Sequence, residues 1–245
     1  MKVTVLGNCG PYPRAGGACS GYLFESEQAK ILIDCGSGTF SRLQQIIKDV
    51  AALDSIILTH FHSDHISDAL VLKYGIGFGR INGKIPHSIP LYTPATPKDY
   101  LDKLQFQDAF TMNKITDNLK VGYKDIEIVF KKMNHSIECY GVMIKNKEKK
   151  FVYSADTKYC NPILELSQKA DLLLCESSVL EKDKTPTTSH LSPKEAGEIA
   201  QKSNVKKLIL THFWPEYDLQ EIMKEAKSTF DGELELAEEM KSYFL

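Results

Sequence analysis

The sequence predicts one α/β domain over residues 1–245, and three observations carry that expectation. Strand-length apolar segments recur along the whole chain, helical signals fall between them, and no linker or low-complexity tract interrupts the series. In order, the strand segments are "VTVLG", "GYLFES", "AKILID", "SIILT", "IPLYTP", "IEIVFKKM", "CYGVMIK", "KFVYSAD", "DLLLCES" and "KLILTH". Each is rich in residues that suit a pleated, half-buried surface. Between them, "SGTFSRLQQIIKDV" and "DLQEIMKEAKSTF" have amphipathic helical spacing. In "SPKEAGEIAQKSN", Ser192 is set to cap a helix, Pro193 fits its first turn, and Glu195 completes a capping box. "TPKDYLDKLQF" has the same opening, with Thr96 and Pro97. The stretch from Ile76 to Pro90, "IGFGRINGKIPHSIP", is the most loop-like on account of its glycines and prolines.

Composition narrows the function classes. With 42 % hydrophobic and 25 % charged residues, a chain of 245 residues can bury a large core and is neither disordered nor a small stapled scaffold. The apolar runs are of strand length and the N-terminus enters a strand pattern at once, so neither a signal peptide nor a membrane span is expected. The net charge is −2 and the only arginines are Arg14, Arg42 and Arg80, so no basic stripe suited to a phosphate backbone is visible. A long nucleic acid is therefore not an expected partner. Cys9, Cys19, Cys35, Cys139, Cys160 and Cys175 form no CxxC pair and read as reduced thiols of a cytoplasmic protein.

The chemistry concentrates in "ILTHFHSDH", Ile57 to His65, where three histidines and an aspartate directly follow an apolar run. In an extended or tightly turned segment His60 and His62 point the same way, while Asp64 and His65, at the start of a helix, turn toward a neighbouring point. Imidazole nitrogen and carboxylate oxygen suit Zn²⁺, and a catalytic zinc needs about three protein ligands and one open position. Four donors are too few for two metals, so others must come from elsewhere. His135, Asp156 and His212 each stand at the end of an apolar strand segment. A lone strand-end histidine is by default a hydrogen-bonded structural residue. Three such donors, in a chain with seven histidines that already carries HxHxDH, reverse that reading.

These residues resemble the metallo-β-lactamase superfamily. His60, His62, Asp64 and His65 match its HxHxDH signature; His135, Asp156 and His212 match its later ligands in order; Asp34, in "ILIDCGSG", matches its buried aspartate. The resemblance covers nearly the whole chain, and it implies a four-layer αββα sandwich with the site on one rim between two facing sheets. It further implies that His60, His62 and His135 hold one divalent ion and Asp64, His65 and His212 a second, with Asp156 bridging. Zinc is the first expectation and manganese the second. Two such ions about 3.5 to 4 Å apart can share a hydroxide and stabilise attacked and leaving oxygens. Asp64 and His190 are the candidate catalytic residues.

Within the superfamily, Asp156 argues against the β-lactamase branches, which place cysteine or serine at the bridging position. The phrases "YSADT", "LLLCESS", "TTSHLSPKEAGEIA" and "LILTHF" look like the ribonuclease Z-like branch, whose members cleave phosphodiesters and in which the residue matching His190 assists the leaving group. Between His135 and Asp156, however, only two strands and the turn "KNKEKK" fit, so the long arm that grips transfer RNA is missing. A small molecule or short oligonucleotide is the expected substrate. A carboxylic ester or lactone hydrolase is the alternative within enzymes. A regulatory or scaffold protein with an idle metal site is the alternative outside them, and an iron oxidoreductase is disfavoured by the lack of a flavin domain. Oligomeric state is open between monomer and homodimer.

Of the remaining candidates, Glu176 is expected to orient His190, since catalytic histidines commonly need such a partner. Phe213 and Trp214 follow a ligand directly and are divided evenly between a pocket wall and ordinary rim packing. His87, among prolines, reads as a solvated loop residue, and Tyr22, Tyr140 and Tyr153 as core or edge residues.

Overall fold

A computed structural model describes all 245 residues, Met1–Leu245. Its elements run β1 (Lys2–Gly7), β2 (Gly21–Glu25), β3 (Lys30–Cys35), α1 (Thr39–Ile46), β4 (Ser55–Ile57), α2 (Ser63–Ile66), α3 (Ala69–Ile81), β5 (Ile89–Thr93), α4 (Lys98–Leu104), β6 (Phe110–Lys114) and β7 (Lys120–Tyr123). They continue with β8 (Ile126–Lys132), β9 (Tyr140–Lys145), β10 (Lys150–Tyr153), α5 (Asn161–Ser167), β11 (Leu172–Glu176), α6 (Pro193–Lys202), β12 (Lys207–Thr211), α7 (Leu219–Lys227), β13 (Glu233–Leu236) and β14 (Ser242–Phe244).

The strands form two seven-stranded sheets, ordered β14-β1-β2-β3-β4-β5-β6 and β13-β12-β11-β10-β9-β8-β7. Each is mixed in the same way. In the first, β14, β1, β2 and β3 pair antiparallel and β3 to β6 parallel; in the second, β7 to β10 pair antiparallel and β10 to β13 parallel. Helices α1 and α2 contact the first sheet and α5, α6 and α7 the second, which gives the four-layer αββα sandwich that the resemblance implied.

Alternation along the strands divides the core. Val3, Val5, Tyr22, Phe24, Ile31 and Ile33 join the cluster that includes Phe151 and Tyr153 of the facing sheet, whereas Leu6, Leu23 and Leu32 join a separate cluster with Leu43 and Leu72 under the helices. Across the sheets Tyr22 lies 4.9 Å from Tyr153 and Phe24 lies 5.4 Å from Phe151, centroid to centroid. Tyr22, Tyr140 and Tyr153 are all buried.

The capping box of α6 forms as expected: the Glu195 amide donates to Ser192 Oγ, and the Ser192 amide to Glu195 Oε2. Two local expectations fail. Helix α4 is capped by Pro97 with no side-chain cap, because the Thr96 hydroxyl is drawn away to Glu138. The stretch from Ile76 is loop only after its first turns, since Ile76–Ile81 completes α3. Packing overrides propensity there: a Cβ on Gly77 would strike Phe106, and one on Gly79 would strike Ile85. Strands β6, β7, β13 and β14 went unanticipated; in β7 and β13 no residue is fully buried, so hydrophobic alternation is weak. No helix is long and apolar enough to cross a membrane.

Candidate metal centre

The parallel strands end at one rim. The turn after β4 carries His60 and His62, and α2 carries Asp64 and His65; His135 follows β8, Asp156 follows β10, Glu176 ends β11, and His212 follows β12. Asp34, Ala155 and His212 adopt left-handed backbone conformations, with φ of 55°, 52° and 58°. Such conformations are uncommon for residues with a side chain and cluster where structure is held for function.

Asp156 is the hub. Its Oδ2 lies 3.6 Å from His60 Nε2, 3.5 Å from His65 Nε2, 3.9 Å from His135 Nε2, 3.4 Å from His212 Nε2 and 3.8 Å from His190 Nδ1. The donors fall into the groups His60–His62–His135–Asp156 and Asp64–His65–His212, and a third, overlapping group joins Asp156 and His212 with His190. Imidazole nitrogens face one another across the centre: His60 Nε2 and His62 Nδ1 are 3.1 Å apart, as are His135 Nε2 and His62 Nδ1, and His65 Nε2 and His212 Nε2.

The outward nitrogens are held by a network that repeats in both halves. Asp34 accepts from His65 Nδ1 at 2.8 Å, and from Thr59 Oγ1, which lies 3.1 Å from His60 Nδ1. Glu176 pairs with His190 Nδ1 at 3.2 Å and accepts at 2.7 Å from Ser178 Oγ, which lies 2.6 Å from His212 Nδ1. Since each hydroxyl has one proton, the network assigns the outer proton of His60 and His212 to Nδ1 and leaves Nε2 free to face inward. His135 Nδ1 donates in the same way to the Ser189 carbonyl. One carboxylate in each half thus orients two imidazoles, one directly and one through a hydroxyl. Thr59 and Ser178 are not among the expected site residues. Thr59 directly precedes His60 and Ser178 stands two residues after Glu176, but a hydroxyl in such a place carries no spacing that marks it as a relay.

Electrostatics follow from this crowding. Burial, with His65 nearby, drives His60 well below the usual histidine range; burial and His135 lower His62; burial also lowers His135. Burial opposes charge on His65, but Asp156, Asp34 and Asp64 outweigh it and hold His65 well above that range. Burial likewise opposes charge on Asp156, yet His212, His65 and His60 hold it well below the carboxylate range; Asp64, subject to the same opposition, falls to about 2 mainly through His65. For His190, burial is outweighed by Glu176, which raises it to about 9.

A divalent cation fits this donor set. Asp156 Oδ1 is buried without any partner, and the inward imidazole nitrogens meet only one another and carboxylates. Such groups are costly to bury unless something positive satisfies them. Above them lies a cleft of about 360 Å³ lined by Gly10, Pro11, Val179, Ser178, His190 and Trp214 among others. A side chain on Gly10 would run into the His212 ring, so that position needs glycine. Trp214 lines the cleft; Phe213 is 1 % exposed, packs in the core and does not. His87 is exposed and remote from the cluster. All six cysteines are free.

Fold and rim together define a metallo-β-lactamase-type chain, and comparison with known proteins agrees. Residues 29–213 match the model of the beta-lactamase superfamily domain, and the chain belongs to that superfamily. It is 33 % identical over 238 residues to the probable metallo-hydrolase YhfI of Bacillus subtilis, covering 97 % of each chain. The crystal structure of YhfI superposes with a TM-score of 0.93 at 32 % identity, over 99 % of this chain and 98 % of that one. Human tRNase Z, short form, shares the fold with a TM-score of 0.76 at 22 % identity, over 100 % of this chain and 99 % of that one. A diphosphatase from the PhnP family gives 0.75 at 19 %, over 99 % and 96 %.

Proposed function

We propose that the protein is a dinuclear metal-dependent hydrolase acting on small or short phosphodiesters. The observation that carries this reading is the gathering of seven metal-ligand side chains, Asp156 and six around it, beside a histidine whose Nδ1 Glu176 holds at 3.2 Å. His60, His62 and His135 would hold one ion and Asp64, His65 and His212 the other, with Asp156 between. Divalent ions held there lower the pKa of bound water into the neutral range and act as Lewis acids toward a phosphoryl oxygen.

The chain's own residues supply the rest. Asp34 and Glu176 fix the imidazoles, so little reorganisation accompanies reaction. With Nδ1 held by Glu176, His190 carries its second proton on Nε2, from which it can pass to the oxygen of the departing group. Pro11, Val179 and Trp214 give the cleft an apolar wall. No lysine or arginine lines it, which suits a phosphodiester with its single charge better than a doubly charged phosphomonoester. Between His135 and Asp156 stand only β9, β10 and a short turn, so nothing comparable to a transfer-RNA-gripping arm is available there.

The test is a panel of chromogenic phosphodiesters, phosphomonoesters, carboxylic esters and lactones, with precursor transfer RNA, presented to metal-reconstituted protein. Turnover is expected for small diesters, with transfer RNA a poor substrate at physiological salt because few phosphate contacts are available. Turnover of carboxylic esters or lactones alone, or efficient removal of a 3′ trailer, would overturn the reading.

A further inference from the structure

Two carboxylates orient the imidazoles of the centre, and they are served alike but for one donor. Glu176 accepts from the Thr157 amide at 2.7 Å and from Ser178 Oγ at 2.7 Å, and pairs with His190 Nδ1 at 3.2 Å. Asp34 accepts from the Thr59 amide at 2.8 Å, from Thr59 Oγ1 at 2.9 Å and from His65 Nδ1 at 2.8 Å. Its Oδ2 also accepts from Tyr153 Oη, at 3.1 Å. A carboxylate offers about four lone-pair sites, so this additional donor completes the set on Asp34. It is also the one donor that comes from the facing sheet. Asp34 belongs to β3, whereas Tyr153 is the last residue of β10, three positions before Asp156.

The neighbouring position shows that packing does not call for a hydroxyl. Phe151 and Tyr153 face the same way from β10, and each packs on an aromatic residue of β2: Phe151 on Phe24 with ring centroids 5.4 Å apart, Tyr153 on Tyr22 at 4.9 Å. All four residues are 0 % exposed. Away from the centre the fold fills this arrangement with phenylalanines. Beneath the centre it buries two phenol groups, which cost free energy unless each is bonded. The two bonds differ in what they reach. Tyr22 Oη lies 2.8 Å from Thr211 Oγ1, a hydroxyl that orients no metal-ligand side chain. Tyr153 reaches the carboxylate on which His65 depends directly and His60 depends through Thr59.

We infer that Tyr153 is a positioning residue of the metal centre: its hydroxyl fixes the Asp34 carboxylate against the facing sheet and so sets His65 and His60 at their distance from Asp156. The inference rests on the two-metal reading above. One strand end carries both Tyr153 and Asp156, so the hydroxyl makes the imidazoles of the first sheet follow the strand that delivers the carboxylate between the two donor groups. Without it, every remaining donor to Asp34 stands on the first sheet's side, and no hydrogen bond ties its carboxylate to β10.

The experiment is a Co²⁺ titration of the chelated full-length chain, followed by visible absorption, on wild type, Y153F and Y22F, with the unfolding temperature of each metal-free protein alongside. Partners that orient metal-binding histidines are worth roughly 10- to 100-fold in metal affinity, and Tyr153 acts one bond further out. Y153F should therefore lose about tenfold in Co²⁺ affinity at both positions and shift the ligand-field bands, with a metal-free unfolding temperature close to that of Y22F. Y22F, which removes the same hydroxyl from the same core, should titrate and absorb as wild type does. If Y153F binds Co²⁺ like wild type, or Y22F loses as much, the inference is overturned while two ions on the wild-type chain still support the two-metal reading. A metal-free Y153F chain that fails to fold would also overturn it, since the hydroxyl would then serve the core. A wild-type chain that takes up a single ion would overturn the two-metal reading itself, and this inference with it.

Discussion

His190 and Glu176 carry the division of labour at the residue scale. Glu176 is wholly buried and serves two imidazoles, His190 directly and His212 through Ser178, whereas the His190 side chain is 24 % exposed to the cleft. A proton donor must reach the departing oxygen, and a ligand must surrender a lone pair. The His190 nitrogen that approaches Asp156, Nδ1 at 3.8 Å, is the one that Glu176 holds, which favours the proposed donor role through Nε2 over a ligand role. His190→Ala should therefore retain metal content and fold while slowing hydrolysis of poor leaving groups by roughly 10² to 10⁴. The loss should shrink sharply for nitrophenyl esters, whose leaving group needs little protonation. Measured rates across a leaving-group series decide this: an equal loss on all would make His190 a substrate-positioning residue, and a loss of metal would make it a ligand.

At the scale of elements, the two sheets are closed at the end away from the site by matching devices. The Asp54 amide donates to the Lys30 carbonyl and the Lys30 amide to the Asp54 carboxylate; Asp171 and Lys150 repeat the pattern in the other sheet. Asp54 also accepts from Tyr123 Oη at 3.0 Å and Lys124 Nζ at 2.6 Å, tying β4 to the β7–β8 hairpin across the sandwich. Partial burial pushes the Asp54 carboxyl up, but Lys124 and the Lys30 amide outweigh it and the pKa falls below the usual value. A carboxylate depressed by folding adds stability above its unfolded pKa of about 3.9 and loses it as pH falls through the folded value. Asp54→Asn should thus cost about 1 kcal/mol at pH 7, the screening of a partly exposed pair holding the figure down. In denaturant unfolding the gap should close toward pH 3; a gap independent of pH would mean that the charge contributes nothing. Elements of this kind differ in how openly the sequence shows them. The ten strands with strong apolar runs and the capped helix α6 were legible because local pattern and tertiary burial agree. Helix α3 was hidden by its glycines, which only the contacts with Phe106 and Ile85 explain, and β7 and β13 by their exposed faces.

For the whole molecule, topology does what local sequence could not disclose. His60 and His212 are 152 positions apart, yet parallel strands in two facing sheets bring their rims together over Asp156. HxHxDH was readable because its donors are adjacent in the chain. The relays through Thr59 and Ser178 were not, because hydroxyls carry no distinctive spacing and acquire a role only from what folding sets beside them. The proposed place of Asp156 between two cations is tested most directly by metal content. Elemental analysis of purified protein should find about two equivalents of zinc or manganese per chain, as a two-metal site requires. Asp156→Ala should lose metal from both positions, since one carboxylate serves both; an Asp156→Ala protein that keeps its full metal content would contradict the account.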